Sequence, residues 1–76
     1  MKINLNSPDG NVFQLLGIIS GLLKKANMPV EEFNTALSRY NTYDDIVKYC
    51  KEVCKQITEK TGEEITIYKS KEYEMV

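Results

Sequence analysis

Residues 6–23 read NSPDGNVFQLLGIISGLL, a cluster of turn formers that runs straight into the most apolar segment of the chain. The tetrapeptide Ser7-Pro8-Asp9-Gly10 puts Pro at the second turn position, where its fixed φ suits either common turn, with Gly or Asn available for positive φ. From Gly10 or Asn11 onward, Val12, Phe13, Leu15, Leu16, Ile18, Ile19, Leu22 and Leu23 cover well over half of a helical wheel. That breadth predicts a central helix, with Val12 and Phe13 fastening its start to the core. Upstream, Lys2 to Asn6 alternates Ile3 and Leu5 with Asn4 and Asn6, the two-residue period of a half-buried strand. The junction therefore reads as strand, tight turn, central helix.

Working outward, Gly17 and Gly21 stand four apart in this helix, and each costs roughly 1 kcal/mol of helix propensity. A packing gain should offset that cost, either a tight helix crossing within the fold or a subunit interface on the same groove. Lys24 and Lys25 complement the C-terminal dipole, Asn27 can adopt the left-handed conformation, and Pro29 can begin a new helix but not continue one. Val30, Phe33, Leu37 and Tyr40 then follow helical spacing, with Glu31 and Glu32 in a favourable first turn. Thr42 is the expected N-cap of a third helix, with Asp45 three residues on. Its stripe is Tyr43, Ile46, Val47, Cys50, Val53, Cys54 and Ile57, opposite Lys48, Lys51, Glu52 and Lys55. Gly62 closes this helix, and Glu64 to Lys69 (EITIYK) reads as a second strand that Tyr73 and Val76 could extend. The expected fold is a single small α+β domain over residues 1–76, β-α-α-α-β, with a two-stranded sheet packed on helices.

The totals narrow the function. A chain of 76 residues makes one domain with a thin core, burying roughly 60% of its unfolded surface. Ten basic residues are offset by eleven acidic ones, leaving a net charge of -1. Duplex nucleic acid, whose binding rests on neutralising phosphates, is not an expected partner. The run Val12 to Leu23 is interrupted by Gln14, Gly17, Ser20 and Gly21 and is far short of the roughly 20 residues of a spanning helix, so no membrane is expected. The N-terminus lacks the features of a signal peptide, so a cytoplasmic location is expected.

Cys50 and Cys54 share a helix face with roughly parallel side chains, a poor geometry for a disulfide, and read as reduced core thiols. Two thiolates supply half of a tetrahedral zinc shell and the chain has no His to complete it. No metal or cofactor is expected. The same lack of His removes the usual base of nucleophilic catalysis, and no phosphate-cradling signature is complete, so no catalytic residue is expected. Asp9, Asp44 and Asp45 fit turn and first-turn duties. Tyr40 and Tyr43 bracket the second helix junction and suit either a core edge or, with Gly17 and Gly21, a contact surface. The opening turn is the candidate ligand site: Ser7, Asp9, Gly10, Asn11 and Val12 surround a helix N-terminus whose unpaired amides attract anions. Against that, Ser7 and Asp9 can cap those amides from within, and Asp9 repels an anion.

Ile3, Asn4, Leu5, Pro8, Asp9, Gly10, Asn11, Phe13, Leu15, Leu16 and Gly17, with a weaker echo in Tyr43-Asp44-Asp45, give the chain a resemblance. It resembles a set of short bacteriophage proteins of unassigned function that open with a similar strand, a PDGN turn and an F-x-L-hydrophobic-G helix. The resemblance covers the first quarter well and the remainder loosely, and Cys50, Cys54 and the longer tail depart from it. It implies a phage or prophage origin and brings no catalytic residue. The expectation is an accessory protein that binds a host protein stoichiometrically, inhibiting a host defence among other possibilities. The alternative is sequestration of a small anionic or nucleotide signal at the Gly10 to Phe13 helix start. Open sheet edges and the Gly17-x-x-x-Gly21 groove add the expectation of a homodimer.

Overall fold

The strand ahead of the opening turn finds its partner more than sixty residues away. In a computed structural model the protein is described over residues 1–69, the side chain of Asp9 excepted. Strand β1 (Lys2–Asn4) pairs in parallel with β2 (Thr66–Tyr68), placing Lys2 opposite Thr66, Ile3 opposite Ile67 and Asn4 opposite Tyr68. Between them come a 3-10 turn (Pro8–Gly10) and helices α1 (Val12–Lys25), α2 (Glu31–Leu37) and α3 (Tyr43–Thr61). The architecture is α+β, β-α-α-α-β, with the two-stranded sheet packed on helices. Parallel strands need a long crossover, and the three helices provide it.

Local chemistry sets each boundary. Asn11 has extended backbone, and its side chain accepts the Phe13 N–H at 2.9 Å to cap α1. At the other end Asn27 takes φ 57, with the Met28 N–H on the Leu23 carbonyl at 2.9 Å and the Asn27 N–H on that of Lys24 at 3.1 Å. This is a Schellman closure with Asn in the left-handed position. Thr42 caps α3 by accepting the Asp45 N–H at 3.2 Å, and Gly62 ends it at φ 77. Helix α2 has no side-chain cap, starts at Glu31 instead of Pro29, and relies on Glu31 and Glu32 against its dipole.

One apolar layer holds these pieces. Ile3 and Ile67 from the sheet meet Leu15, Ile19 and Leu23 of α1, Phe33 of α2, and Val47, Cys50, Val53, Cys54 and Ile57 of α3. Leu5 and Ile65 are partly buried against the same layer, just beyond the ends of strands that are shorter than the expected 2–6 and 64–69. The first strand stops early because the Asn4 carbonyl turns to accept the Ser7 N–H at 3.0 Å. The expected strand extension by Tyr73 and Val76 lies outside the described residues.

Two expectations fail on α1. Phe13 is 86% exposed and fastens nothing to the core. Gly17 and Gly21 are exposed as well, with nothing within 4 Å of the point where a Cβ would stand, so the described fold contains no tight crossing at these glycines. The reason is angular. At about 100° per residue, Phe13 lies roughly 200° around the helix from Leu15, and Gly17 and Gly21 extend the Phe13 line while Ile19 and Leu23 extend that of Leu15. The sheet and α3 cover only the Leu15 side.

Candidate functional site

The opening turn is built almost wholly from its own hydrogen bonds. The Asn6 N–H reaches the Asn4 side-chain carbonyl at 3.0 Å, and the Ser7 hydroxyl donates to the Asn4 backbone carbonyl at 2.5 Å. Gly10 N–H donates to the Ser7 carbonyl at 2.9 Å and Asn11 N–H to that of Pro8 at 3.1 Å. Gly10 is buried, and a Cβ there would fall on the Leu5 carbonyl, so its requirement is close backbone approach. Asn11 caps the Phe13 N–H where Ser7 and Asp9 were expected to cap the helix start, and the Ser7 hydroxyl bonds back toward the strand. Val12 is half-buried, and the Asp9 side chain lies outside what is described.

A residue from the far side of the fold completes this turn. The Tyr43 hydroxyl donates to the Gly10 carbonyl at 2.5 Å, joining the first residue of α3 to the start of α1. Burial, then the Cys50 thiol and the Asp44 carboxylate, raise the Tyr43 pKa above 10.0, which keeps the hydroxyl a donor. Tyr40 is half-buried, its ring 5.5 Å from Tyr49, which stacks on Phe33 at 5.7 Å and 17°. Tyr40 and Tyr43 thus hold joints, α2 to α3 and α3 to the turn. Neither ring comes within 4 Å of the point where a Cβ would stand on Gly17 or Gly21.

The unassigned surface is the outer line of α1, where Phe13, Gly17 and Gly21 follow one another at four-residue spacing. The glycines leave a shallow, side-chain-free track beside a phenyl ring that the fold leaves open to solvent. Sequence periodicity alone missed this ring. The contrast between a Leu-Ile-Leu line and a Phe-Gly-Gly line was the signal that distinguished the two sides.

The remaining chemistry is quiet. Cys50 and Cys54 are free and buried. Burial, with the neighbouring Cys54 sulfur, pushes the Cys50 pKa up to about 12, and burial alone pushes Cys54 to about 11. Thiolates, the reactive and metal-binding form, are strongly disfavoured at neutral pH. Among the described residues no three His, Cys, Asp or Glu side chains gather in a way that could hold a metal ion, and no helix is long and apolar enough to cross a membrane. A hollow of about 400 Å³ runs along the exposed side of α2 between Glu31, Glu32, Thr35, Ala36 and Arg39. Others of about 180 Å³ lie beside Leu22 and Ile57 and beside Tyr40 and Tyr49, away from the opening turn. Comparison with protein-family models, characterised proteins and solved structures finds no match to this chain.

Proposed function

We propose that this is a non-catalytic accessory protein of phage or prophage origin that binds a host protein stoichiometrically in the bacterial cytoplasm, and that it does so as a homodimer. The observation that carries the reading is the 86% exposure of Phe13 beside Gly17 and Gly21 on α1. An aromatic ring offers roughly 150–250 Å² of apolar surface to a partner, and here the core is complete without it. Aromatic anchors beside flat ground are what protein interfaces use for most of their energy. The alternative, a small anion at the start of α1, is less supported, because Asn11 already occupies the Phe13 amide. The phage resemblance sets the class of partner as a host protein, inhibition of a defence protein being one instance.

A tagged copy expressed in infected bacteria tests this. The wild-type protein should retain one host protein in equimolar amount, and Phe13→Ser should lose it while keeping the same circular dichroism spectrum. Identical retention by both proteins would refute the assignment of this face.

A further inference from the structure

The outward edge of β2 carries a self-complementary pairing site, and the geometry points to a second copy of this chain joined there in antiparallel fashion about a two-fold axis through Ile67. This inference deepens the dimeric reading just proposed and rests on it.

Strand direction follows from two hydrogen bonds. The Thr66 N–H donates to the Met1 carbonyl at 2.9 Å, and the Leu5 N–H donates to the Tyr68 carbonyl at 2.8 Å. Thr66 and Tyr68 therefore spend their backbone groups on β1, while those of Ile65, Ile67 and Lys69 point away from it. Among the described residues nothing pairs with that side of β2, and the sheet has two strands in the order β1-β2. The opposite edge is different. On β1 the outward carbonyl of Asn4 already accepts both the Ser7 N–H and the Ser7 hydroxyl. The opening turn blunts the β1 edge, and no described residue covers the β2 edge.

Three features select a second copy as occupant. With the axis at Ile67, its N–H and C=O exchange with their symmetry mates, and Thr66 stands opposite the partner's Tyr68 as a β-branched and aromatic pair, a favourable cross-strand combination. Charge then fixes direction: Glu63 and Glu64 precede the strand and Lys69 follows it, all exposed. Antiparallel pairing brings acidic start to basic end, whereas parallel pairing would align like with like. Last, Ile65 and Ile67 share the helix-covered face, so each Ile67 meets its symmetry mate there and each Ile65 lies diagonal to the partner's Ile67, which carries the apolar layer across the axis. A two-stranded sheet is marginal, and the pairing makes it four-stranded.

The test uses the exposed face of β2, where substitutions leave the core alone, since Thr66 is exposed and Tyr68 is 39% exposed. Light scattering at hundreds of micromolar should give the wild type twice the 8.7 kDa chain mass. Thr66→Glu with Tyr68→Glu sets like charges opposite each other twice and should give the single mass. Thr66→Lys with Tyr68→Glu sets opposite charges there and should restore the double mass. Independently of any variant, a mixture of differently labelled wild-type chains should show an intermolecular cross-peak between the α-protons of Thr66 and Tyr68. A monomeric wild type overturns this inference together with the dimeric reading. A dimer without that cross-peak, or one indifferent to the paired glutamates, overturns the β2 edge alone. Host capture through Phe13 is read separately and survives either result.

Discussion

The two phenylalanines of this chain should respond to the same substitution in opposite ways. Phe33 is 2% exposed and is the one fully buried side chain of α2, a helix of seven residues with no side-chain N-cap. Its ring buries roughly 200 Å², which at about 25 cal/mol per Å² is ~5 kcal/mol, and an alanine in its place retains about a quarter of that. Losing the stack on Tyr49, 5.7 Å away, adds ~1 kcal/mol. The expected cost of Phe33→Ala is therefore about 3–5 kcal/mol, in line with large-to-small changes in cores. At roughly 0.05–0.15 kcal/mol per residue, 76 residues hold about 4–11 kcal/mol in all. Phe33→Ala should leave a protein close to unfolding, with α2 released first. Phe13, 86% exposed, has 100 − 86 = 14% of its surface covered. That is about 30 Å² and less than ~1 kcal/mol, so Phe13→Ala should be nearly silent. Urea unfolding of both variants, followed by far-ultraviolet circular dichroism, reads the difference directly. A loss above ~2 kcal/mol for Phe13→Ala, or below ~1 kcal/mol for Phe33→Ala, would show that the burial described for α1 or α2 is wrong.

Gly10→Ala should cost about 1–3 kcal/mol in urea unfolding, because a Cβ there meets the Leu5 backbone carbonyl, which cannot give way without moving the end of the first strand. An unchanged midpoint would mean that the turn is looser than its contacts imply. Tyr43→Phe removes the donor to the Gly10 carbonyl and should cost about 1 kcal/mol, with amide exchange rising at Gly10 to Asn11 before elsewhere. Stability should also fall in alkali. The folded-state pKa values of Cys50 and Cys54 are raised from 9.0 to about 12 and 11, so the unfolded chain loses these protons first. Their contribution is complete below pH 9 and is lost as pH climbs toward 11 and 12. Urea midpoints that stay level from pH 9 to 11 would contradict thiol burial, as would rapid reaction of the native protein with a thiol reagent at neutral pH.

Much of the architecture was legible because local signals and tertiary demands agree. Ile3 and Leu5 alternate as a strand must, Thr42 and Gly62 bracket α3 with side-chain and left-handed caps, and the stripe from Val47 to Ile57 is the face that packs. Agreement of this kind across levels is what makes a sequence readable. What periodicity could not give was the choice between two apolar-looking sides of α1, since that depends on how many neighbours arrive to cover it. Strand direction was equally hidden, because it is set by the path of three helices and not by either strand. The Tyr43 contact to Gly10 joins residues 33 apart and left no trace in spacing. For the candidate site, a cap on the helix start was expected from Ser7 and Asp9 but comes from Asn11, and the open ring of Phe13 was mistaken for core.

The parallel pairing of Lys2 with Thr66 and Asn4 with Tyr68 has a consequence for synthesis. A ribosome releases the first strand long before its partner exists, so Ile3 waits unsheltered while all three helices are made. Closing a chain segment of this length has an entropic cost that grows only slowly with loop size, but it cannot be met in instalments. Helices α1 and α3 can form locally within microseconds, whereas the sheet must await residue 68 and its departure from the exit tunnel. The domain should therefore acquire its cooperative fold in one late step, once the second strand has emerged. Any nascent form cut short before β2 should leave Ile3 and the α3 face beneath the second strand uncovered and fall to proteases, a sharp quality threshold set by the arrival of one short strand.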